Sequence, residues 1–210
     1  MPIVAALLDR AEHEYHRDLE CAAEASAAAV AALERWHLSS DASSPKATAL
    51  AARSWAVRGN VLRLQSRFRE ADVAIKTANQ WLAQNPGQPR LHAQVQEVEA
   101  GLHRERGAYP EAIRLFREAG GCYRIAADET SWLRCLAQQA FCHSGGGRPG
   151  EAASILEGVL PRLRGDRQPP RLRMVMTINL ALAYTRLGRT WEARRLLPEL
   201  ERLMAEVGEP

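Results

Sequence analysis

The amino-terminal segment carries two histidines and two glutamates within five residues, from Glu12 to His16. Imidazole and carboxylate groups bind zinc and act as bases, and the helix of a zinc protease places its two histidines four residues apart. His13 and His16 are one residue short of that spacing, and no distant ligand set accompanies them. We therefore expect a solvated polar face and no metal site. An enzyme that uses His13, Glu14 and His16 is the alternative that the sequence supports least.

Two further segments contain residue types that could form a reactive, metal-binding or phosphate-binding site. Cys135 and Cys142 are seven residues apart, next to His143. Because cysteine is often a buried small apolar residue, packing is the simpler interpretation, and a thiol or metal site is the alternative. The glycine-rich run at 145–150 lacks the Gly-Lys-Ser/Thr ending of a phosphate-binding loop, so it indicates a helix–helix turn. We expect no cofactor and no catalytic activity.

Composition narrows the class of protein. The 210 residues are 46% hydrophobic and 25% charged, with a net charge of +3. This balance is typical of a folded domain and gives little support for a nucleic-acid partner. The longest apolar stretch, 21–33, is too short for the roughly 20 residues that a membrane helix needs. Four scattered cysteines and the absence of a signal-peptide pattern predict a cytoplasmic protein with no membrane association.

The chain contains an internal repeat. Four Glu-Ala pairs lie 41, 40 and 41 residues apart, and they begin at Glu70, Glu111, Glu151 and Glu192. Five residues before each alanine lies a residue suited to end a helix, namely Ser66, Gly107, Gly147 and Gly188. After each pair the apolar residues keep helical spacing, as in Ala112, Phe116 and Ala119. Every unit is therefore predicted to be a helix, a tight turn and a second helix.

The repeat resembles the tetratricopeptide repeat (TPR) family. The residues that carry the resemblance are Trp55, Gly59, Leu62, Ala71 and Ile75 in one unit, and Leu180, Ala181, Tyr184, Ala193 and Leu197 in another. Arg58 and Glu99 replace the usual leucine, and His103 and His143 replace the usual tyrosine. The period also exceeds the usual length of about 34 residues. Longer second helices, as in the TPR-like arrays of kinesin light chains and bacterial signalling regulators, account for this difference.

The resemblance implies an all-α fold, a right-handed superhelix of stacked antiparallel hairpins. Residues 46–210 are predicted to form four hairpins at about 48–86, 89–127, 129–167 and 170–210. Residues 1–45 are predicted to form one or two helices and a loop that cap the first repeat. Arrays of this kind serve many unrelated partners, so fold alone does not identify the function.

The resemblance also implies an inner groove lined by the first helix of each hairpin. With the alanine of each Glu-Ala pair as register, the groove positions are Arg53, Ala56, Asn60 and Arg63; Gln94, Glu97, Gly101 and Arg104; Arg134, Ala137, Phe141 and Ser144; and Val175, Ile178, Leu182 and Thr185. The early positions are polar and mostly basic, and the late ones are apolar. A peptide or helix with an acidic portion and an apolar portion fits this gradient. The alternative is that the arginines are solvated and that Val175, Ile178 and Leu182 belong to the core.

The last predicted helix carries more apolar residues than one neighbour can cover. They are Leu196, Leu197, Leu200, Leu203 and Met204, and the sequence stops where the next unit would begin. An exposed apolar patch is unusual on a monomer. We therefore expect a homodimer through this helix, with Leu196, Leu203 and Met204 as candidate contacts, or a cover formed by the amino-terminal helices or a partner.

These features predict a non-catalytic module that binds a protein or peptide in its groove. The alternative from another class is a TPR component of a bacterial signalling or transcriptional system that senses a ligand or peptide. No DNA-binding or ATPase motif occurs in the sequence, so such a sensor would act through a separate protein.

Overall fold

The computed structural model describes residues 2–15, 17–39, 44–84, 86–163 and 169–208. These residues form α-helices joined by short turns, with one short 3₁₀-helix, Leu160–Leu163. The α-helices are α1 (Pro2–Glu14), α2 (Leu19–Ser39), α3 (Pro45–Leu64), α4 (Phe68–Ala83), α5 (Pro89–Glu105), α6 (Tyr109–Ile125), α7 (Glu129–Gly145), α8 (Pro149–Val159), α9 (Pro170–Arg186), α10 (Thr190–Arg195) and α11 (Leu197–Gly208). Within this described part, no helix combines the length and the apolar character required to cross a membrane.

The turn inside each predicted hairpin has the same geometry. Ser66, Gly107, Gly147 and Gly188 all have positive φ, from 60° for the serine to 78° for Gly147. The following residue donates its backbone N–H to the carbonyl five positions back, at 2.8 or 2.9 Å; the pairs are Arg67 to Leu62, Ala108 to His103, Arg148 to His143 and Arg189 to Tyr184. These bonds satisfy carbonyl groups that the helix end leaves open. The turn positions predicted from the sequence are therefore those that the structure has.

The second helices of the last two hairpins are interrupted. α4 and α6 run for 16 and 17 residues, but α8 ends after 11 and α10 after 6. A proline follows each break, at Pro161 and Pro198. Proline cannot donate the helical hydrogen bond, and its ring clashes with the preceding turn. The single last helix predicted from the sequence is thus two helices, α10 and α11.

The extra length of the repeat is shared by both helices of a hairpin. α5 and α6 each contain 17 residues. The expectation that the second helix alone accounts for the long period is therefore incorrect.

By its contacts the chain divides into two compact units, Met1–Leu102 and His103–Pro210. The division falls within α5 and differs from the boundary predicted at residue 45. In unit 1, α1 and α2 pack against α3 through a buried cluster that includes Val4, Leu8, Ala29 and Val57. A second cluster, between α3, α4 and α5, includes Ile75 and Leu102. The amino-terminal helices therefore bury apolar surface of the first helix of the first hairpin.

Unit 2 has its own core, formed by α7, α8, the 3₁₀-helix and α9. Leu133, Leu156, Leu163 and Met176 are fully buried in it. Leu196 packs against its edge. This core fixes the side of α9 that faces inward, and it leaves the opposite side of that helix to solvent.

Candidate functional site

The first predicted groove arginine is paired inside unit 1. Arg53 on α3 forms ion pairs with Asp9 and Glu12 on α1, each with an N–O distance of 2.7 Å. This pairing could not be predicted from the sequence, because the acidic residues lie more than 40 positions away from Arg53. Arg53 is thus a contact between α3 and the amino-terminal helix.

The other early groove residues also have partners within unit 1. Asn60 accepts hydrogen bonds from Arg63 Nε and Nη2, at 3.2 and 2.8 Å, and it is bonded to Tyr15. Burial raises the pKa of Tyr15, although its side-chain hydrogen bond with Asn60 acts in the opposite direction. The Arg63 side chain lies across Gly101, where a β-carbon would come within 3.1 Å of Nε. These contacts favour a structural role for this polar region.

Gln94 and Arg53 line a small cleft in unit 1. The cleft has a volume of about 590 Å³ and lies at the amino-terminal ends of α3 and α5. Lys46 and Arg90 contribute its other cationic groups, and Leu50 lies in its apolar part. Gln94 and Arg53 thus line the same cleft, together with two further cationic residues.

In unit 2, α7 and α9 lie side by side. Asn179 Nδ2 donates to the carbonyl oxygen of Ala137 at 3.4 Å. Arg186, the last residue of α9, donates to the backbone carbonyl of Ser144 and, at 3.1 Å, to its hydroxyl oxygen. Both contacts join residues 42 positions apart, so α7 and α9 are aligned with the same offset at both places. Two predicted groove positions of α7, Ala137 and Ser144, are therefore buried contacts with α9.

The predicted apolar groove positions of unit 2 are exposed. The exposed fractions are 45% for Phe141, 36% for Val175, 39% for Ile178 and 50% for Leu182. Val175, Ile178 and Leu182 are therefore not core residues, which removes the alternative left open by the sequence. These four residues are called the apolar face below.

Arginines border the apolar face, and they have partners. The Arg104 guanidinium lies 5.6 Å from the ring centroid of Phe141, and it also bonds to Gln138 and Glu105. Arg134 lies 5.9 Å from the ring of Tyr123 and donates to Ser131 Oγ at 3.3 Å. The predicted groove positions thus include both basic and apolar residues. The basic side chains contact other residues of the protein, whereas the apolar side chains are exposed to solvent.

The three candidate contacts of the last helix have different surroundings. Leu203 is fully buried, Leu196 is half-buried, and Met204 is 62% exposed. The prediction that Leu203 lies on an exposed surface is therefore incorrect, because it packs within unit 2. Leu197 and Val207 accompany Met204 on the exposed side of α11, and Val207 was not among the predicted contacts.

The histidine, cysteine and glycine-rich segments that were considered as possible sites have structural contacts in the protein. His13 accepts a hydrogen bond from Arg17 at 2.9 Å, and His16 lies outside the described residues. Cys135 and Cys142 are buried, and burial raises the pKa of Cys142 to about 11, which disfavours a reactive thiolate. In the described ranges, no three His, Cys, Asp or Glu side chains are grouped as metal ligands. The glycine-rich run at 145–150 contains the turn between α7 and α8.

Unit 2 also contains a cleft of about 930 Å³, between α9, α11 and the 3₁₀-helix after α8, which was not predicted from the sequence. Its lining includes Leu160, Arg173, Arg195 and Glu199. The signal that pointed to it was the pair of prolines, Pro161 and Pro198, inside regions that otherwise keep helical spacing.

Comparison with known proteins shows similarity to solved structures. No protein-family model matches the chain, and no curated protein matches it. Two crystal structures of a Podosopora anserina protein of kinesin light chain type with nearly identical TPR-like repeats superpose with TM-scores of 0.71 and 0.70, each at 18% identity. The alignments cover 98% and 100% of this chain and 96% and 99% of those chains.

A third similar structure is BtubC (BKLC) from P. vanneervenii, with a TM-score of 0.75 and 14% identity over 99% of this chain and 91% of that one. At these identities the similarity concerns the fold. The chain is a helical-repeat protein of the TPR-like fold, as its phased sequence pattern predicted.

Proposed function

We propose that the protein is a non-catalytic interaction scaffold of the cytoplasm, and that it binds a protein segment on the apolar face of unit 2. The observation that carries the proposal is the exposure of Phe141, Val175, Ile178 and Leu182 on two helices held in fixed register. Apolar side chains grouped on a surface mark interaction sites. The TPR-like fold supports a scaffold role in general.

The partner that fits is a peptide or an amphipathic helix with an apolar stripe. Val175, Ile178 and Leu182 lie along one side of α9, and Phe141 extends the surface onto α7. A helix that lies in a groove uses apolar anchors at matching helical spacing. Because Arg104 already has internal partners, an acidic portion of the ligand contributes less than its apolar portion.

Affinity capture with one altered residue tests the proposal. The purified protein, its Leu182→Asp variant and its Ile125→Asp variant are used as baits against a lysate of the source cells. Ile125 is a matched control, because it is 78% exposed in unit 2 and lies outside the apolar face. We expect the wild type and Ile125→Asp to retain a common partner and Leu182→Asp to lose it. Equal capture by all three proteins, with unchanged circular dichroism, would rule out the apolar face.

The second candidate function is a sensor component of a bacterial regulatory system. The observation that favours it is the separate cleft between α9 and α11, whose volume of about 930 Å³ lies in the range of small-molecule sites. A scaffold needs only the apolar face, whereas a sensor needs an occupied cleft whose ligand alters partner binding.

We also propose that exposed apolar residues of α11 support a homodimer. Met204, Leu197 and Val207 are exposed on this helix. Met204→Asp introduces a charge at the centre of this surface, and it is expected to shift the mass measured by light scattering from dimer to monomer. A monomeric wild-type protein at concentrations of about 100 μM contradicts the proposal.

A further inference from the structure

The cleft of unit 2 lies on the side of α9 opposite the apolar face. Its lining includes three leucines, Leu160, Leu180 and Leu196, among charged residues, and its volume is about 930 Å³. None of the four residues of the apolar face lines it. A ligand in this cleft therefore does not compete for the surface of the proposed function.

Two helix breaks create the cleft. Leu160 and Pro161 lie where α8 gives way to the 3₁₀-helix, and Leu196 lies between α10 and α11. The second helices of the earlier hairpins, α4 and α6, are continuous. Because prolines prevent helical hydrogen bonding at both breaks, the opening is a consequence of the sequence at this end of the chain.

Most charges around the cleft are neutralised within the protein. Glu199 accepts hydrogen bonds from Arg173 and, at 2.9 and 3.0 Å, from Arg202. Arg202 also lies 3.6 Å from Glu206. These acidic groups therefore have cationic partners already, which leaves little attraction for a cationic ligand.

The other two carboxylates have partners as well. Glu157 accepts a hydrogen bond from the Tyr184 hydroxyl at 2.9 Å and forms an ion pair with Arg189 at 3.2 Å. Glu192 accepts two hydrogen bonds from Arg189, at 2.8 and 2.5 Å. Every acidic residue of the lining is thus paired.

Arg195 differs from the other cations of the lining. Its guanidinium stacks on the ring of Trp191, with Cζ 4.8 Å from the centroid. Within the described residues it donates no hydrogen bond. Stacking uses the face of the guanidinium and leaves its N–H edges free to bind a carboxylate in bidentate fashion. The hydrogen bonds from Arg189 lower the pKa of the nearby Glu192, and Arg195 also helps to lower it. The cleft therefore combines leucine side chains with one guanidinium whose N–H groups make no hydrogen bond within the described residues.

We infer that the cleft binds a small organic carboxylate, whose apolar group lies on Leu160, Leu180 and Leu196 and whose carboxylate pairs with Arg195. Two molecules share this chemistry: a free apolar carboxylic acid and the last residue of a peptide with an apolar side chain. The pairing of the other charges favours an anion over a cation or a neutral amphiphile. The inference is independent of the proposed function, because the two sites lie on different sides of α9.

Titration of the full-length protein tests the inference. Octanoate represents the free acid, and acetyl-Ala-Leu-Leu with a free or an amidated carboxyl terminus represents the peptide; octylamine and octanol are charge controls. The signal is the indole N–H resonance of Trp191 in a proton–nitrogen NMR spectrum, assigned with Trp191→Phe. Octanoate, the free-terminus peptide or both are expected to shift this resonance in a saturable way, and which of them does so identifies the source of the carboxylate.

Two matched variants distinguish a built site from nonspecific binding. Arg195→Gln is expected to weaken carboxylate binding on the order of tenfold, since it removes a charge-assisted pair. Arg194→Gln, an exposed neighbour outside the cleft lining, is expected to bind as the wild type does. Equal binding of octylamine, no effect of Arg195→Gln, or no shift with either carboxylate would overturn the inference. Leu182→Asp is expected to leave octanoate binding unchanged, so failure of the apolar face and failure of this site give different results.

Discussion

The ring of Tyr109, at the start of α6, lies against Gly145, at the end of α7. A β-carbon at residue 145 would lie 2.7 Å from Cζ of the tyrosine and 2.9 Å from its hydroxyl oxygen. The aromatic residue of one hairpin turn thus packs against the first helix of the next hairpin, and it needs a glycine there. The segment around Tyr109 is therefore a packing element of the repeat.

Gly145→Ala is expected to lower the free energy of unfolding by about 1–3 kcal/mol, because the new methyl group overlaps the Tyr109 ring. In a Tyr109→Ala background most of this loss disappears. Urea unfolding of the single and double variants measures the coupling. Gly121→Ala is the control: residue 121 is a helical glycine with open space around its β-carbon, and the substitution is expected to stabilise by up to about 1 kcal/mol. Equal effects at both glycines would contradict the contact.

Ser66→Gly is expected to raise the free energy of unfolding by about 0.5–1 kcal/mol. Ser66 has a φ of 60°, in the left-handed region that the other three hairpins fill with glycine, and a β-carbon is disfavoured there. The reverse change, Gly188→Ser, is expected to lower stability by a similar amount. Thermal and urea unfolding of both variants measure the two effects, and a destabilised Ser66→Gly protein is the contrary result.

The repeat and its turns were predictable because they depend on residues close in sequence. A glycine or serine five residues before the Glu-Ala alanine fixes each helix end, and the helical spacing on either side needs no distant contact. The apolar face was also predictable from the repeat register. The register was needed because α9 is apolar on several sides. Met176 and Leu180 are buried and Ile178 and Leu182 are exposed, and the spacing of apolar residues alone does not distinguish the buried pair from the exposed pair.

Long-range pairing was not predictable. The acidic residues that neutralise Arg53 belong to α1, outside the phased repeats, and the sequence shows no complementary spacing. The cleft was missed because the apolar stripe of Ala193, Leu197 and Leu200 continues across Pro198 with helical spacing. A proline is favourable in the first turn of a new helix. Because the apolar spacing continues from α10 into α11, that spacing does not reveal the break between the two helices.

Lower pH is expected to destabilise the protein through His143. This residue is buried, its Nδ1 has no hydrogen-bond partner among the described residues, and burial, assisted by Arg148 and Arg117, lowers its pKa. Protonation of this imidazole is therefore less favourable in the folded state than in the unfolded chain, which takes up a proton near the ordinary pKa of about 6.5. Stability is therefore lost as the pH falls through that value.

Urea unfolding at pH 7.5 and 5.5 measures this loss, and His143→Gln is expected to reduce it. His103→Gln, at the same position of the preceding repeat, controls for histidine removal in general. A loss of the same size in wild type and His143→Gln would assign the effect to other groups.

The ion pair between Arg53 and Glu12 is expected to couple α1 to α3 by about 0.2–1 kcal/mol, because both side chains are partly exposed to solvent. A double-mutant cycle with Arg53→Ala and Glu12→Ala measures the coupling, which should shrink in 1 M salt. Glu14→Ala is the control. Because Arg53 is engaged internally, Arg53→Ala is also expected to leave partner capture unchanged; loss of capture would return this arginine to the binding site.

Two leucines on α9 separate the core from the apolar face. Leu180 is 4% exposed and Leu182 is 50% exposed, so the same substitution has different consequences two residues apart. Leu180→Ala is expected to cost about 2–5 kcal/mol of stability, because it leaves a cavity in the core of unit 2. Leu182→Ala is expected to change stability by no more than about 0.5 kcal/mol and to weaken partner capture. If both variants lose equal stability, Leu182 is a core residue in solution and the apolar face does not exist as a free surface.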